Sequence, residues 1–206
     1  MTNLVEILDP KVDSIFKKIF GENQTLFIDF VNSIFADKNE RLVKSVTFLN
    51  TELSKDISDG KECALDVRAE LDDGSQINIE VQVAPQKYYV KRSLFYWAKL
   101  YVGQLSLGER YKGLKRCVSI NLLNFDLFPG NQRYHRMLSG VDVDTQEILA
   151  PEFEVHYLEI PKMPKDMYNG SMTRLEKWLL FLQAPNKKVL EELAMQDRIF
   201  KEAKDT

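Results

Sequence analysis

The 206-residue chain carries 28 basic and 31 acidic residues and is 44% hydrophobic, enough apolar material for one domain core with a small appendage. Its mild acidity excludes indiscriminate nucleic-acid binding but leaves room for a local basic patch. Two cysteines without metal-type spacing, an N-terminus (MTNLVEILDPKVD) unlike a secretion signal, and no apolar run of ~20 residues point to a soluble cytoplasmic protein with no membrane partner.

The first helix is predicted over 9–21, with Asp9 as its cap, Pro10 in the first helical position and Gly21 at its end. Val12, Ile15, Phe16, Ile19 and Phe20 share one apolar face, and Asp13 and Lys17 lie one turn apart on the other side. A second amphipathic helix is expected over 23–36, burying Leu26, Phe27, Phe30, Val31 and Ile34. LVKSVTFLN, residues 42–50, reads as a strand, and TELSKDISDGKE as a polar connection. LDVRAELDDGSQINIEVQV, residues 65–83, reads as a hairpin. A long helix is predicted over 86–107, a buried strand over 117–125, and two more strands near 134–143 and 153–160. Pro161 and Pro164 mark a break, and residues 171–204 read as two helices divided at Ala184-Pro185-Asn186.

The hairpin's register follows from its alternation. Leu65, Val67, Ala69 and Leu71 share one side of their strand, as do Ile77, Ile79, Val81 and Val83 of the next. Both sets face one core only if Asp72-Asp73-Gly74 is a three-residue loop, or an equivalent bulge, with Gly74 in the left-handed position. A two-residue Asp-Gly loop would send the two apolar sets to opposite faces. The longer loop pairs Leu71 with Ser75 and sets Asp66 opposite Glu80, with Cβ atoms roughly 5 Å apart. Gln82 follows on the same face. Two carboxylates so close repel unless a cation or a proton intervenes. With a nearby amide they suit a hard divalent cation such as magnesium. The same polar alternation also describes an ordinary solvated hairpin face.

Asp66, a hairpin, then Glu80-Val81-Gln82 is a variant of the PD-(D/E)XK nuclease signature, with Gln82 where the usual lysine stands. Taken with DSIFKKIFG before it and RSLFYWAKLYVGQLSLGERYKGL after it, the pattern resembles the recombination-promoting nuclease and transposase-like branch of that superfamily, over residues 9 to about 160. The resemblance implies an α/β fold with a restriction-endonuclease-like mixed sheet flanked by helices over residues 1–165, and a helical tail over 166–206. It also implies magnesium-dependent hydrolysis of DNA phosphodiesters, with manganese as a substitute, and a link to DNA recombination or mobile elements. The last helix is highly charged and lacks a stop signal, which fits a truncated chain or a shorter family member.

The roles follow from that likeness. Asp66 and Glu80 would hold magnesium together with the backbone carbonyl of Val81, which the resemblance implies. Gln82 could orient the attacking water but supplies no positive charge. Lys17 is a candidate for the missing charge, and Asp13 for an accessory acid from the first helix. Between Pro85 and Ser119 stand eight basic residues and one acid, Glu109. Lys87, Lys91, Arg92 and Lys99 fall in one sector of the predicted long helix and are expected to meet DNA phosphates. Tyr88 and Tyr96 are candidates for sugar or base contacts.

A second class of reading is a DNA-binding or assembly module that keeps the nuclease fold without its activity, motivated by the lost lysine. His135 and His156 have no zinc-like spacing but could pair across neighbouring strands. Ser93 has no triad context, and no Gly-rich phosphate loop appears. Cutting both strands of a duplex implies two copies, so a homodimer is expected.

Overall fold

The computed structural model describes residues 9–38, 40–52, 64–163, 172–183 and 186–206. In chain order its elements are α1 (Asp13–Gly21), α2 (Gln24–Asp37), β1 (Val46–Phe48), β2 (Val67–Leu71), β3 (Gln76–Gln82), α3 (Tyr89–Val102), β4 (Cys117–Leu123), β5 (His135–Val141), β6 (Ile148–Glu159), α4 (Arg174–Gln183), α5 (Lys187–Gln196) and α6 (Arg198–Asp205). They form two compact units. One is Lys44–Lys162, and the other joins the two ends of the chain, Met1–Val43 and Met163–Thr206.

The first unit is the mixed sheet expected of a restriction-endonuclease-like fold, in strand order β1-β2-β3-β4-β6-β5. β1, β2 and β3 run antiparallel in succession, β3–β4 and β4–β6 are parallel, and β5 closes antiparallel on β6. A parallel pair needs a crossover, and α3 supplies it between β3 and β4. Helix α3 packs on the sheet through Tyr89, Leu94 and Trp97, against Leu123, Phe125, Phe153, Val155 and Tyr157. Every residue of β4 is buried, the polar Ser119 and Asn121 included, as expected of a strand covered on both faces.

The hairpin loop is the three-residue one. Leu71 N–H donates to the Ser75 carbonyl at 2.9 Å, Gly74 N–H donates to the Leu71 carbonyl at 2.9 Å, and Gly74 has φ +82°. Val67 pairs with Ile79, Arg68 with Asn78 and Ala69 with Ile77, so both apolar sets do face one side.

The second unit is helical, with an aromatic core. Phe20 lies 4.9 Å from Phe16, 4.8 Å from Phe30 and 5.4 Å from Trp178, ring centre to ring centre, and Trp178 lies 4.9 Å from Phe200. Asp29 of α2 accepts from Trp178 Nε1 at 2.7 Å and from two nitrogens of Arg174 at 2.7 and 2.9 Å. These bonds tie α2 to α4 through a charged, half-buried contact.

Several boundaries differ from expectation. Helix α1 begins at Asp13 rather than near Asp9, because residues 9–12 form a turn in which buried Lys11 pairs with Asp9 and donates to the Leu182 carbonyl at 2.7 Å. Val12 is consequently exposed rather than part of the apolar face. Helix α3 is shorter than predicted: Tyr88 adopts a left-handed conformation (φ 66°) just before it, and Gly103 follows its last residue. Strand β6 starts five residues early, since an Asp142 turn, accepting from Asp144 and Thr145 N–H, closes β5 and β6 into a hairpin. The tail holds three helices among the described residues, because Asp197 breaks the last stretch and caps α6 through Ile199 N–H at 2.9 Å. Most of the polar connection (residues 53–62), Pro164 and Ala184-Pro185 lie outside the described residues.

Candidate active site

The antiparallel register of β2 and β3, continued by one residue, sets Asp66 opposite Glu80. The two are interlocked. Asp66 N–H donates to Glu80 Oε1 at 3.2 Å, and Val81 N–H donates to Asp66 Oδ2 at 2.8 Å. Asp66 is half-buried, while Glu80 is only 4% exposed. Burial, and then the neighbouring Asp66 carboxylate, push the Glu80 acid up to about 8. The site therefore stores a proton where two negative charges would otherwise meet.

Uncharged polar groups frame this pair. Parallel pairing places Asn121 of β4 beside Glu80 on the far side from Asp66. Tyr89 of α3 donates its hydroxyl to Asn121 Oδ1 at 3.0 Å, and Asn121 Nδ2 donates to the His156 carbonyl at 3.1 Å. The Tyr89 phenol is raised well above its ordinary range by burial and then by Glu80. Asn78, one pleat before Glu80, is fully buried and directs Nδ2 to Glu80 Oε1 at 3.5 Å, and its Oδ1 has no hydrogen-bond partner among the described residues. None of Asn78, Tyr89 and Asn121 was singled out from sequence. The signal was present for the first: Asn78, Glu80 and Gln82 alternate on one face.

Gln82 continues on that face, its Nε2 donating to the Ala84 carbonyl at 3.0 Å and its Oε1 facing Arg92 Nη1 at 3.5 Å. Arg92 also donates to Gln86 Oε1 at 2.5 Å and to the Tyr96 hydroxyl at 3.0 Å. Its guanidinium lies 5.0 Å from the Tyr96 ring centre and 6.0 Å from that of Tyr89.

The basic sector needs one correction. Lys87 precedes α3, and the left-handed Tyr88 breaks the helical phase, so only Lys91, Arg92 and Lys99 share the helix. Lys87 and Lys91 nevertheless converge, their ammonium groups 4.9 and 5.5 Å from the centre of the exposed Tyr88 ring. Lys99 lies over Phe95 at 5.5 Å. Asp13 and Lys17 belong to the helical unit, where they pair with each other at 2.9 Å, one turn apart on α1.

The two histidines do meet. His135 Nε2 lies 2.8 Å from His156 Nδ1, and His156 Nε2 bonds Glu154, which also pairs with Arg116. This chain lies on the opposite face of the sheet from Glu80, because His156 is adjacent to Tyr157, which shares the Glu80–Asn121 row.

A hairpin-borne acidic pair beside a parallel strand, crossed by one helix, defines a protein of PD-(D/E)XK nuclease fold. No curated protein and no solved structure matches the chain. The model of the PD-(D/E)XK nuclease family transposase matches residues 10–206, and the chain belongs to that family. The match runs through the C-terminal helices, well past the residues whose motifs carry the likeness.

The oxygen-rich site fits the hard divalent metal that this family implies: two interlocked carboxylates, with the buried Asn78 Oδ1, which has no hydrogen-bond partner among the described residues, on the same face. Among the described residues, no helix is long and apolar enough to cross a membrane.

Proposed function

We propose that the chain is a metal-dependent DNA endonuclease hydrolysing phosphodiester bonds, acting in DNA recombination or on mobile elements from the cytoplasm. The observation that carries this reading is the interlock of Asp66 with buried Glu80, a like-charge pair that one proton or one cation must relieve. Asp66, Glu80 and the Val81 carbonyl would hold magnesium or manganese. Such an ion polarises a phosphate and lowers the pKa of a bound water.

The chain's own residues do the rest. Glu80 would have to lose its proton to hold such an ion. Gln82, tethered by Ala84, presents its amide oxygen toward Arg92 and lies beside the carboxylates, where an amide can orient a water. Lys87, Lys91, Arg92 and Lys99 hold DNA phosphates, with Tyr88 and Tyr96 beside them for sugar or base contact. Cutting both strands would need a second copy.

The test is a plasmid-nicking assay with Mg²⁺ or Mn²⁺. The parent nicks, chelation stops it, and Asp66→Ala lowers the rate by at least ~100-fold. Equal nicking by Asp66→Ala would discard the assignment.

The Gln82 tether favours one alternative, a nuclease-fold module that binds DNA without cutting it, because its amide N–H already donates to Ala84. That reading predicts DNA binding unchanged by chelator and no nicking by the parent.

A further inference from the structure

We propose that Arg92 is a catalytic residue whose guanidinium contacts the scissile phosphate and supplies the positive charge that Gln82 lacks. The inference rests on the endonuclease reading and sharpens it, by separating Arg92 from the lysines that track the DNA backbone.

The first observation is its partners. Arg92 is bonded to two amide oxygens, Gln86 and Gln82, and to the Tyr96 hydroxyl. Among the described residues no carboxylate forms an ion pair with it. Three other cations, by contrast, are neutralised at short range: Lys17 by Asp13, Arg116 by Glu154, and Arg174 by Asp29 and Asp197. A guanidinium fixed by neutral acceptors keeps its whole charge for an incoming anion, and its fork matches phosphate oxygens.

The second observation is its aim. The side chain leaves the first turn of α3 and reaches the end of β3, at the residue two beyond Glu80. The Tyr96 and Tyr89 rings flank it, and Tyr89 is itself anchored on Asn121, the strand partner of Glu80. The guanidinium is thus held by the same framework that holds the carboxylates.

The chemistry needs no proton transfer through Arg92. As water attacks phosphorus and the bond to the leaving sugar oxygen breaks, negative charge builds on the non-bridging oxygens. Fixed N–H donors aimed there stabilise that state more than the ground state. Arg92 N–H groups bound to Gln86 and Gln82 would exchange those acceptors for phosphate oxygen.

The test uses single-turnover nicking at saturating DNA, with DNA affinity measured separately by fluorescence anisotropy in EDTA and folding checked by thermal melting. Arg92→Gln is expected to lower the nicking rate by roughly 100-fold while weakening DNA binding by no more than about threefold. Arg92→Lys should retain more rate than Arg92→Gln. Gln82→Lys placed in the Arg92→Gln background should recover at least about tenfold, because the charge returns to the same spot. If the parent nicks and Arg92→Gln loses only DNA affinity, Arg92 is a backbone-tracking residue and this inference fails alone. If the folded parent never nicks, the endonuclease reading fails and takes this inference with it.

Discussion

Glu80 Oε1 accepts the backbone N–H of Asp66 at 3.2 Å, so the buried acid is tied to the main chain of the very residue whose carboxylate repels it. That bond and the return bond from Val81 N–H to Asp66 lock the register of β2 against β3 at the site. The same geometry that supports the strand ends concentrates like charge, and stability is therefore linked to protonation.

The first prediction concerns pH. The Glu80 acid in the folded protein stands at about 8, against 4.5 for an unperturbed glutamate. Below the lower value both folded and unfolded chains carry the proton. As pH rises from there to the higher value, the unfolded chain releases its proton while the folded chain keeps it, so stability falls across this window. Glu80→Gln removes that titration. In chelator, its melting temperature relative to the parent should rise steadily between pH 4.5 and 8. A difference that stays flat across that range, measured by calorimetry, would contradict the burial of Glu80 as an acid.

The second prediction concerns the loop that sets the register. Gly74 has φ +82°, a conformation that costs an L-residue roughly 1–2 kcal/mol. An added Cβ would sit 3.6 Å from the Lys115 side chain, an ordinary contact, so backbone strain alone decides the effect. Gly74→Ala should lower stability by about that amount, and Gly74→Asn by less, since Asn tolerates the left-handed region. Denaturant unfolding measures both.

The third prediction separates the basic residues. Lys87 and Lys91 meet over the exposed Tyr88 ring, where phosphate contact would be electrostatic and sequence-independent. Changing either to Gln should weaken binding to all duplexes alike and flatten the slope of log affinity against log salt by about one. Fluorescence titrations at several salt concentrations read this directly. An unchanged slope would remove that lysine from the DNA surface.

The hairpin was legible in the sequence because its signals agree: Leu65 through Leu71 and Ile77 through Val83 alternate, and Gly74 supplies the left-handed residue that a three-residue loop requires. Helix α2 was legible from the spacing of Leu26, Phe27, Phe30, Val31 and Ile34, all of them buried; its Asn23 cap on Leu26 N–H appears only in the structure. What escaped depends on contacts distant in sequence. Asn121 reads as one of two polar residues in an otherwise apolar strand until pairing puts it beside Glu80 and Tyr89 reaches it from α3. The Arg92–Gln82 approach needs the chain to turn at Tyr88, a left-handed tyrosine that no local pattern announces. The break at Asp197 was missed because a helix-compatible charged sequence runs through it, and the aspartate there caps α6 and binds Arg174.

The most direct measurement of the central claim, that Asp66 and Glu80 serve one ion, is Mn²⁺ titration by isothermal calorimetry at pH 7.5. The parent should bind with proton release, since Glu80 must surrender its proton, and either Asp66→Ala or Glu80→Ala should abolish that binding. Binding of unchanged stoichiometry and affinity in both variants would show that these two carboxylates do not share an ion.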